Sequence, residues 1–366
     1  PTPIGVGSWK YSIVNCVEVY ADGFSWPIGY KYTFVENNYA DGNYNGHGFN
    51  GRSHAYMAYN YITKTGKKGV NQGEIFLFEP PSTLQSWGQV LGATSNTITL
   101  KVDGGTDGQF LESDTNVSYN WFSIYIRDGK GAGQMRYIER VPIAGKDGVY
   151  TGFSYKLCDW EKPWTVIPDS TSTFTISCSM HNNTFYKNSA YDNQSSICLY
   201  GYQIDNLVAE NTLIDTGGIC LSGIDNVSNS KTIWFNRIEN NYIQGASHGD
   251  LGLEKGAGAA TGIIVQGSRQ TGTEFRGVIT AFCTIRNNVI CDIKKGTATD
   301  AAMADYYAIK LAGNDDLTSG DMRYIIVENN VIRNVDINGI SVFTNILGAI
   351  LRNNTIEEVE GEELTI

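Results

Sequence analysis

The sequence predicts an all-β chain wound into a solenoid of short stacked strands. Two returning phrases, and the corner residues between them, carry that prediction. The first phrase is Gly217-Gly-Ile-Cys-Leu-Ser-Gly223, which returns as Ser196-Ile-Cys-Leu-Tyr-Gly201, Gly262-Ile-Ile-Val-Gln-Gly267, Ala308-Ile-Lys-Leu-Ala-Gly313 and Gly339-Ile-Ser-Val-Phe343. The second is Arg237-Ile-Glu-Asn-Asn-Tyr-Ile243, which returns as Met180-His-Asn-Asn-Thr-Phe185, Val208-Ala-Glu-Asn-Thr-Leu213, Ile285-Arg-Asn-Asn-Val-Ile290, Val327-Glu-Asn-Asn-Val-Ile332 and Leu351-Arg-Asn-Asn-Thr-Ile356. Both read as short alternating strands, and neither shows the period of a helix. A unit of roughly 20 to 30 residues with Gly and Asn at its corners is one coil of a repeat array, because a single unit cannot bury its own apolar face.

The last Asn of the second phrase aligns at Asn38, Asn60, Asn183, Asn211, Asn241, Asn288, Asn330 and Asn354. Stacking at ~4.8 Å per coil sets each amide on the next, where the side chains bond up the stack and satisfy buried turn groups. The column is read as structural, since a turn Asn that tolerates the left-handed conformation needs no other reason to be there.

These phrases resemble the right-handed parallel β-helix superfamily typified by pectate lyases, polygalacturonases and phage tailspikes, over roughly residues 10–80 and 177–360. The resemblance implies the fold and an action on polysaccharides. It leaves the reaction open, because that superfamily holds hydrolases, lyases, epimerases and non-catalytic fibres.

In chain order, residues 1–79 form the first coils, aromatic and turn-rich, with Trp9, Trp26, Tyr39, Tyr59 and Tyr61 among glycines and asparagines. Their aromatic rings are either covers for strand surface or platforms for sugars. Gly73-Glu-Ile-Phe-Leu-Phe-Glu79 repeats the first phrase with Glu74 in the small-residue slot, a minor catalytic candidate. Pro80-Pro81 then ends the pattern, since proline cannot continue a central strand. Residues 80–176 hold β-like runs at Thr97–Val102, Trp121–Ile126 and Met135–Val141 and predict an inserted β subdomain that walls a cleft or mediates assembly. Within it, Asp128-Gly-Lys-Gly-Ala-Gly-Gln134 lacks the Gly-Lys-Ser/Thr ending and the following helix of a phosphate loop. Its neighbour phrase, Lys162 to Phe174, is similar to one that pairs with it in small β modules of phage-tail proteins. Residues 177–366 resume the coils. The connections from Asn241 to Ile263 and from Asn288 to Ile309 are long, which marks loops 244–262 and 291–308 as the expected binding face.

A net charge of −11 and a pI near 4.9 oppose nucleic acid and anionic membrane surfaces and leave neutral glycans unaffected. No apolar run is long enough to span a bilayer, so membrane insertion is not expected. The chain starts without a leader or an evident cap and is expected to be a piece of a longer, secreted or cell-surface protein, with a homo-oligomer as a further option. The odd count of seven cysteines leaves at least one thiol unpaired, and Cys198 and Cys220 are expected to stack as free thiols, parallel neighbours being poorly placed for a disulfide.

Counting four residues back from the inward Ile of each first phrase reaches Asp215, Ala259, Asp305 and Asp336. Asp215 and Asp305 would then stand ~10 Å apart across the small Ala259, two rungs of the stack. That is close to the separation of an inverting glycosidase, with Asp215 the general base and Asp305 the general acid. Asp250 and Glu254 are alternates in the adjacent loop. Lys310, the one basic residue among the outward positions of these strands, would orient a sugar hydroxyl or serve a lyase as base. His248, Tyr306 and Asp336 complete the expected substrate contacts. His248 has no second His at ligand spacing, so no zinc site is predicted. The reading is a glycoside hydrolase on a polysaccharide or oligosaccharide that requires no cofactor. Its alternatives are a lyase or epimerase, for which calcium would supply positive charge, and a non-catalytic glycan-binding or fibre segment.

Overall fold

The computed structural model describes residues 11–19, 25–26, 32–43, 48–50, 53–65, 75–79, 85–105, 122–139, 151–177, 180–193, 197–222, 232–245, 261–267, 280–293, 307–312, 322–336, 338–343 and 346–365. Its described elements are all strands, and among them no helix is long and apolar enough to cross a membrane. The chain is a right-handed parallel β-helix, the hand that parallel crossovers adopt. Each coil contributes a strand to sheet I (from Tyr11–Val14 to Ile350–Arg352), sheet II (Val17–Val19 to Thr355–Val359) and sheet III (Ser25–Trp26 to Glu362–Thr365), each of nine parallel strands. From Met180–His181 onward a fourth, six-stranded sheet IV of two-residue strands precedes sheet I in each coil.

The repeated phrases fall in the register their sequences predict. Ile219 pairs with Ile263, Ile263 with Ile309 and Ile309 with Ile340 in sheet III. The second residue of the sheet II strands from Tyr39–Asp41 to Val331–Val335, such as Ile62, Leu213, Ile243 and Ile290, points inward and is buried. With Val35, Met57, Phe185, Val208 and Ile285 of sheet I, these make one core that runs the length of the described coils. Each such side chain contributes about 1.5–3 kcal/mol by leaving water. The small residue that opens the sheet III phrase has a steric cause. A Cβ on Gly262 would lie 2.7 Å from Ile290 Cγ2 and 2.6 Å from the Ala308 carbonyl.

The amide column forms, with one correction. It runs Asn38, Asn60, Asn188, Asn211, Asn241, Asn288, Asn330, Asn354, each Nδ2 donating to the next Oδ1 at 2.9–3.0 Å. Asn183 belongs instead to a second, shorter column at the sheet IV–I corner, with Asn206 and Asn236. Every member of the long column follows a residue in the left-handed region, for example Asn37, Lys187, Glu210, Asn240 and Asn287.

The strands between Gln85 and Ser177 form a separate six-stranded antiparallel sheet in the order Met135–Ile138, Phe122–Asp128, Thr173–Ser177, Gln85–Ala93, Thr97–Gly105, Thr151–Lys156. It has its own core of Val90, Ile98, Leu100, Ile124, Ile126, Phe153 and Phe174. The two phrases singled out in its sequence clamp one another. Gln134 Nε2 donates to the Val166 carbonyl, its Oε1 accepts from the Thr165 and Val166 amides, and Arg136 donates to the Lys162 and Pro163 carbonyls. Gly129 is obligatory here, with φ +75° and the Thr171 carbonyl 2.0 Å from where a Cβ would stand. The insert seats on sheet IV through Tyr125, which stacks on Tyr202 at 6.3 Å and meets Trp234 edge-on. Tyr137 hydrogen-bonds the buried His181 at the same junction.

Candidate functional site

Sheet II and the corner that leads from it to sheet III gather the chemistry. Because alternate residues of a strand face opposite ways, the first and third residues of each sheet II strand point outward. They give one row of Tyr39, Tyr61, Ser189, Thr212, Tyr242 and a second of Asp41, Thr63, Tyr191, Ile214, Gln244, Cys291, Arg333. From Tyr61–Thr63 onward, the fourth residue counted from the start of each sheet II strand turns through the left-handed region and forms a third row along the corner. Lys64, Asp192, Asp215, Gly245, Asp292, Asn334 and Glu358 all have φ between 51° and 65°. Backbone bonds from Lys64 N to Tyr191 O, Asp192 N to Ile214 O, Asp215 N to Gln244 O and Gly245 N to Cys291 O fix their order.

Two carboxylates in this corner row stand on either side of a glycine. Asp215 and Asp292 are two rungs apart, ~9.5 Å along the axis, with Gly245 between them. The Asp215 carboxylate leans into the space over that glycine, for a Cβ there would lie 2.3 Å from its Oδ1. Asp292 is held from both sides, its Oδ2 accepting from Gln244 Nε2 at 2.9 Å and its Oδ1 from Asn334 Nδ2 at 2.5 Å. Gln244 is itself oriented by the Tyr242 hydroxyl at 2.9 Å. The Cys291 thiol lies 3.6 Å from that hydroxyl. This bond, then desolvation and the electrostatic influence of Cys291 and Asp292, holds Tyr242 above its ordinary pKa. No hydrogen bond reaches the exposed Asp215 carboxylate among the described residues.

Of the expected site residues, Asp215, Lys310 and Asp336 are described; Asp305, Asp250, Glu254, His248, Tyr306 and the minor candidate Glu74 lie outside the described residues. Asp215 stands at the corner as expected. Asp336 does not share its row. The place of Asp215 in that coil is taken by Asn334, because sheet II runs two residues further there, with Val335 paired to Ile293 and the Asp336 amide bonded to the Ile293 carbonyl. Lys310 does project outward from sheet III, but into an aromatic clasp, its Nζ 4.8 Å from the rings of both Tyr307 and Phe343. The outer face around it is buried, including Cys198, Cys220, Ile264 and Ser341. Cys198 and Cys220 are register neighbours and free thiols. Among the described residues no group of three or more His, Cys, Asp or Glu side chains is placed to hold a metal.

Asp292, Gly245, Gln244 and Tyr242 were not foreseen as site residues. The signal was present in the amide column. Four residues on from Asn60, Asn188, Asn211, Asn241, Asn288 and Asn330 stand Lys64, Asp192, Asp215, Gly245, Asp292 and Asn334. Counting forward from the rigid corner finds the row that counting back across a loop of variable length misses.

No family model matches the chain, and no curated protein sequence does. Among solved structures it is similar to the tailspike protein gp49 from Pseudomonas phage LKA1, at 9% identity and a TM-score of 0.24, covering 95% of this chain and 72% of that one. It is also similar to the Gp54 tailspike of Acinetobacter baumannii bacteriophage AP22, solved in complex with A. baumannii capsular saccharide, at 7% identity and a TM-score of 0.16, covering 97% of this chain and 71% of that one.

Proposed function

We propose that the chain is a carbohydrate-active protein that binds a polysaccharide or oligosaccharide along the outer face of sheet II and cleaves it as a glycoside hydrolase, with Asp215 and Asp292 as the working carboxylates. The observation that carries this reading is the gap over Gly245. Two aspartates two rungs, ~9.5 Å, apart on the backbone with no side chain between them support a pair that works across one glycosidic bond, as in an inverting enzyme. One carboxylate takes a proton from the water as its oxygen attacks the anomeric carbon. The other gives a proton to the leaving glycosidic oxygen, and both bonds change in one displacement. Asp292 is positioned by Gln244 and Asn334, and Tyr242 supports it through Gln244. Such polymers are met outside cells, so a secreted or cell-surface setting goes with the proposal. Asp305, Asp250 and Glu254 keep their place as further acid/base candidates, with His248, Tyr306, Lys310 and Asp336 as substrate contacts.

Proton NMR of a digest tests this directly. A product of inverted anomeric configuration, lost in Asp215→Asn and in Asp292→Asn with glycan binding kept, is the expected result. The exposed Arg333, one rung from Cys291 on the same face, favours uronate elimination as a second reading, and an unsaturated, ultraviolet-absorbing product would select it. Binding without any product would select the fibre reading.

A further inference from the structure

We propose that Tyr61, with its neighbours Tyr39 and Tyr191, reads a neutral polysaccharide through a row of hydroxyl groups and not through the faces of its rings. The inference rests on the reading that sheet II binds glycan, and it specifies how and which kind. Aromatic side chains usually meet sugars face-on, the ring lying against the C–H bonds of a pyranose. Tyr61 cannot do this. Its ring lies 5.4 Å from that of Tyr39 with planes 6° apart, and 5.2 Å from that of Tyr191 with planes 29° apart. Offset stacking of this kind occupies both faces. Yet Tyr61 remains 40% exposed. The part of it that meets solvent is the ring edge and the hydroxyl, which both donates and accepts.

The hydroxyls of Tyr61 and Tyr191 make no hydrogen bond among the described residues, while that of Tyr39 donates to Asp41 Oδ2 at 3.4 Å. Tyr39 and Tyr61 open their strands one rung, ~4.8 Å, apart, close to the length of one sugar residue in an extended chain, and Tyr191, third in the next strand, continues the series obliquely into the neighbouring row. A glycan laid obliquely across these coils therefore brings successive sugar hydroxyls to successive tyrosines. Tyr191 adjoins Asp192, whose corner row leads on to Asp215 and Asp292, so the tyrosines hold the part of the chain that lies beyond the carboxylate pair. Those carboxylates and a net charge of −11 disfavour a polyanion here. The row thus selects a long, neutral glycan, and short fragments that reach only the corner go without it.

The test uses the full chain on an array of neutral bacterial polysaccharides with short and long fragments of each. On the glycan it binds best, long fragments should bind at least tenfold tighter than short ones. Tyr61→Phe, which keeps the ring and its stacking and deletes one oxygen, should weaken the long fragments about five- to tenfold and leave the short ones and the melting temperature unchanged. Tyr61→Leu should weaken binding no further than Phe does. Tyr61→Phe binding long fragments like the parent would overturn the hydroxyl row while leaving glycan binding by sheet II in place. A folded parent protein that binds nothing on the array would overturn that underlying reading, and the inference with it.

Discussion

Two corners of each coil are built on the same backbone turn and are used differently. Between sheets I and II the connection is always two residues, a left-handed residue followed, in every described coil after the first (Asn15-Cys16), by an Asn, as in Asn37-Asn38, Lys187-Asn188 and Asn329-Asn330. Between sheets II and III it changes from coil to coil. It is short from Ile214 to Ile219, long from Gln244 to Thr261, and almost absent from Val335 to Asn338. In the first corner the amides from Asn38 to Asn330 are buried, and those from Asn60 to Asn330 are bonded to the column on both sides. The second leaves Asp215 exposed and Gly245 without a side chain. A corner whose polar groups are all paired cannot change length without orphaning them. Freedom from that column is what lets the second corner carry loops and the exposed carboxylate of Asp215.

The largest effect that tests this contrast is expected at Asn211. Its side chain accepts from both the amide and the Nδ2 of Asn188 and donates to the Phe185 carbonyl and to Asn241 Oδ1. Asn211→Ala orphans several of these at once, and at ~1–3 kcal/mol for each buried group left unpaired it should cost about 3–5 kcal/mol. Urea denaturation followed by circular dichroism measures it. A loss under 1 kcal/mol would show that the column is decoration on a coil held by its apolar core alone.

A third corner, between sheets IV and I, sharpens the point because it carries strain. Phe235, Phe282 and Tyr324 occupy it with φ between 55° and 58°, where Asn182, Asp205 and Gly348 stand in other coils. A bulky residue in this region costs roughly 1–2 kcal/mol. The rings offset part of it by stacking on one another, at 5.1 Å between Phe235 and Phe282 and 5.4 Å between Phe282 and Tyr324. Phe282→Ala should lose both stackings, about 1–3 kcal/mol, and keep the strain. Phe282→Gly loses the same contacts and sheds the strain, so it should be the more stable of the two by about 1 kcal/mol, the reverse of the order within a strand. Thermal melting of the pair checks the sign.

Much of this was legible in the sequence, for identifiable reasons. The sheet III register followed from the Gly-Ile-x-Leu phrase because the small residue and the inward Ile are both set by packing, as Gly262 against Ile290 shows. The amide column was read with one slip. Met180-His-Asn-Asn-Thr-Phe185 looks like its neighbours but turns the sheet IV–I corner, while the true member hides in Tyr186-Lys-Asn-Ser189. Sheet IV went unseen because strands of two residues carry no period. Of the corner row, Asp215 was singled out and Asp292 was missed, because the row was sought across the one corner whose length varies.

Gly245→Ala comes next in size. Its φ of +65° makes any Cβ cost about 1 kcal/mol or somewhat more. The new methyl would also displace the Asp215 carboxylate, which is flexible enough to move at little cost. Stability should fall slightly while cleavage of a bound glycan falls by at least tenfold. Equal losses in binding and turnover would mean that the gap serves packing and not reaction.

The smallest structural effect is expected where the functional one is greatest. Asp215→Asn keeps the left-handed turn, since Asn tolerates it as well as Asp does, and it removes no hydrogen bond seen at that side chain. Its unfolding free energy should stay within ~0.5 kcal/mol of the parent, against about 3–5 kcal/mol for Asn211→Ala in the neighbouring corner of the same coil. If Asp215 moves the proton, turnover should nevertheless drop by two or more orders of magnitude, because the amide is isosteric with the carboxylate but cannot transfer it. Measuring stability and turnover on these two variants together separates the corner that holds the coil from the corner that works on its substrate. A stable Asp215→Asn with undiminished turnover would return Asp215 to the role of a turn former and move the reaction elsewhere on the helix.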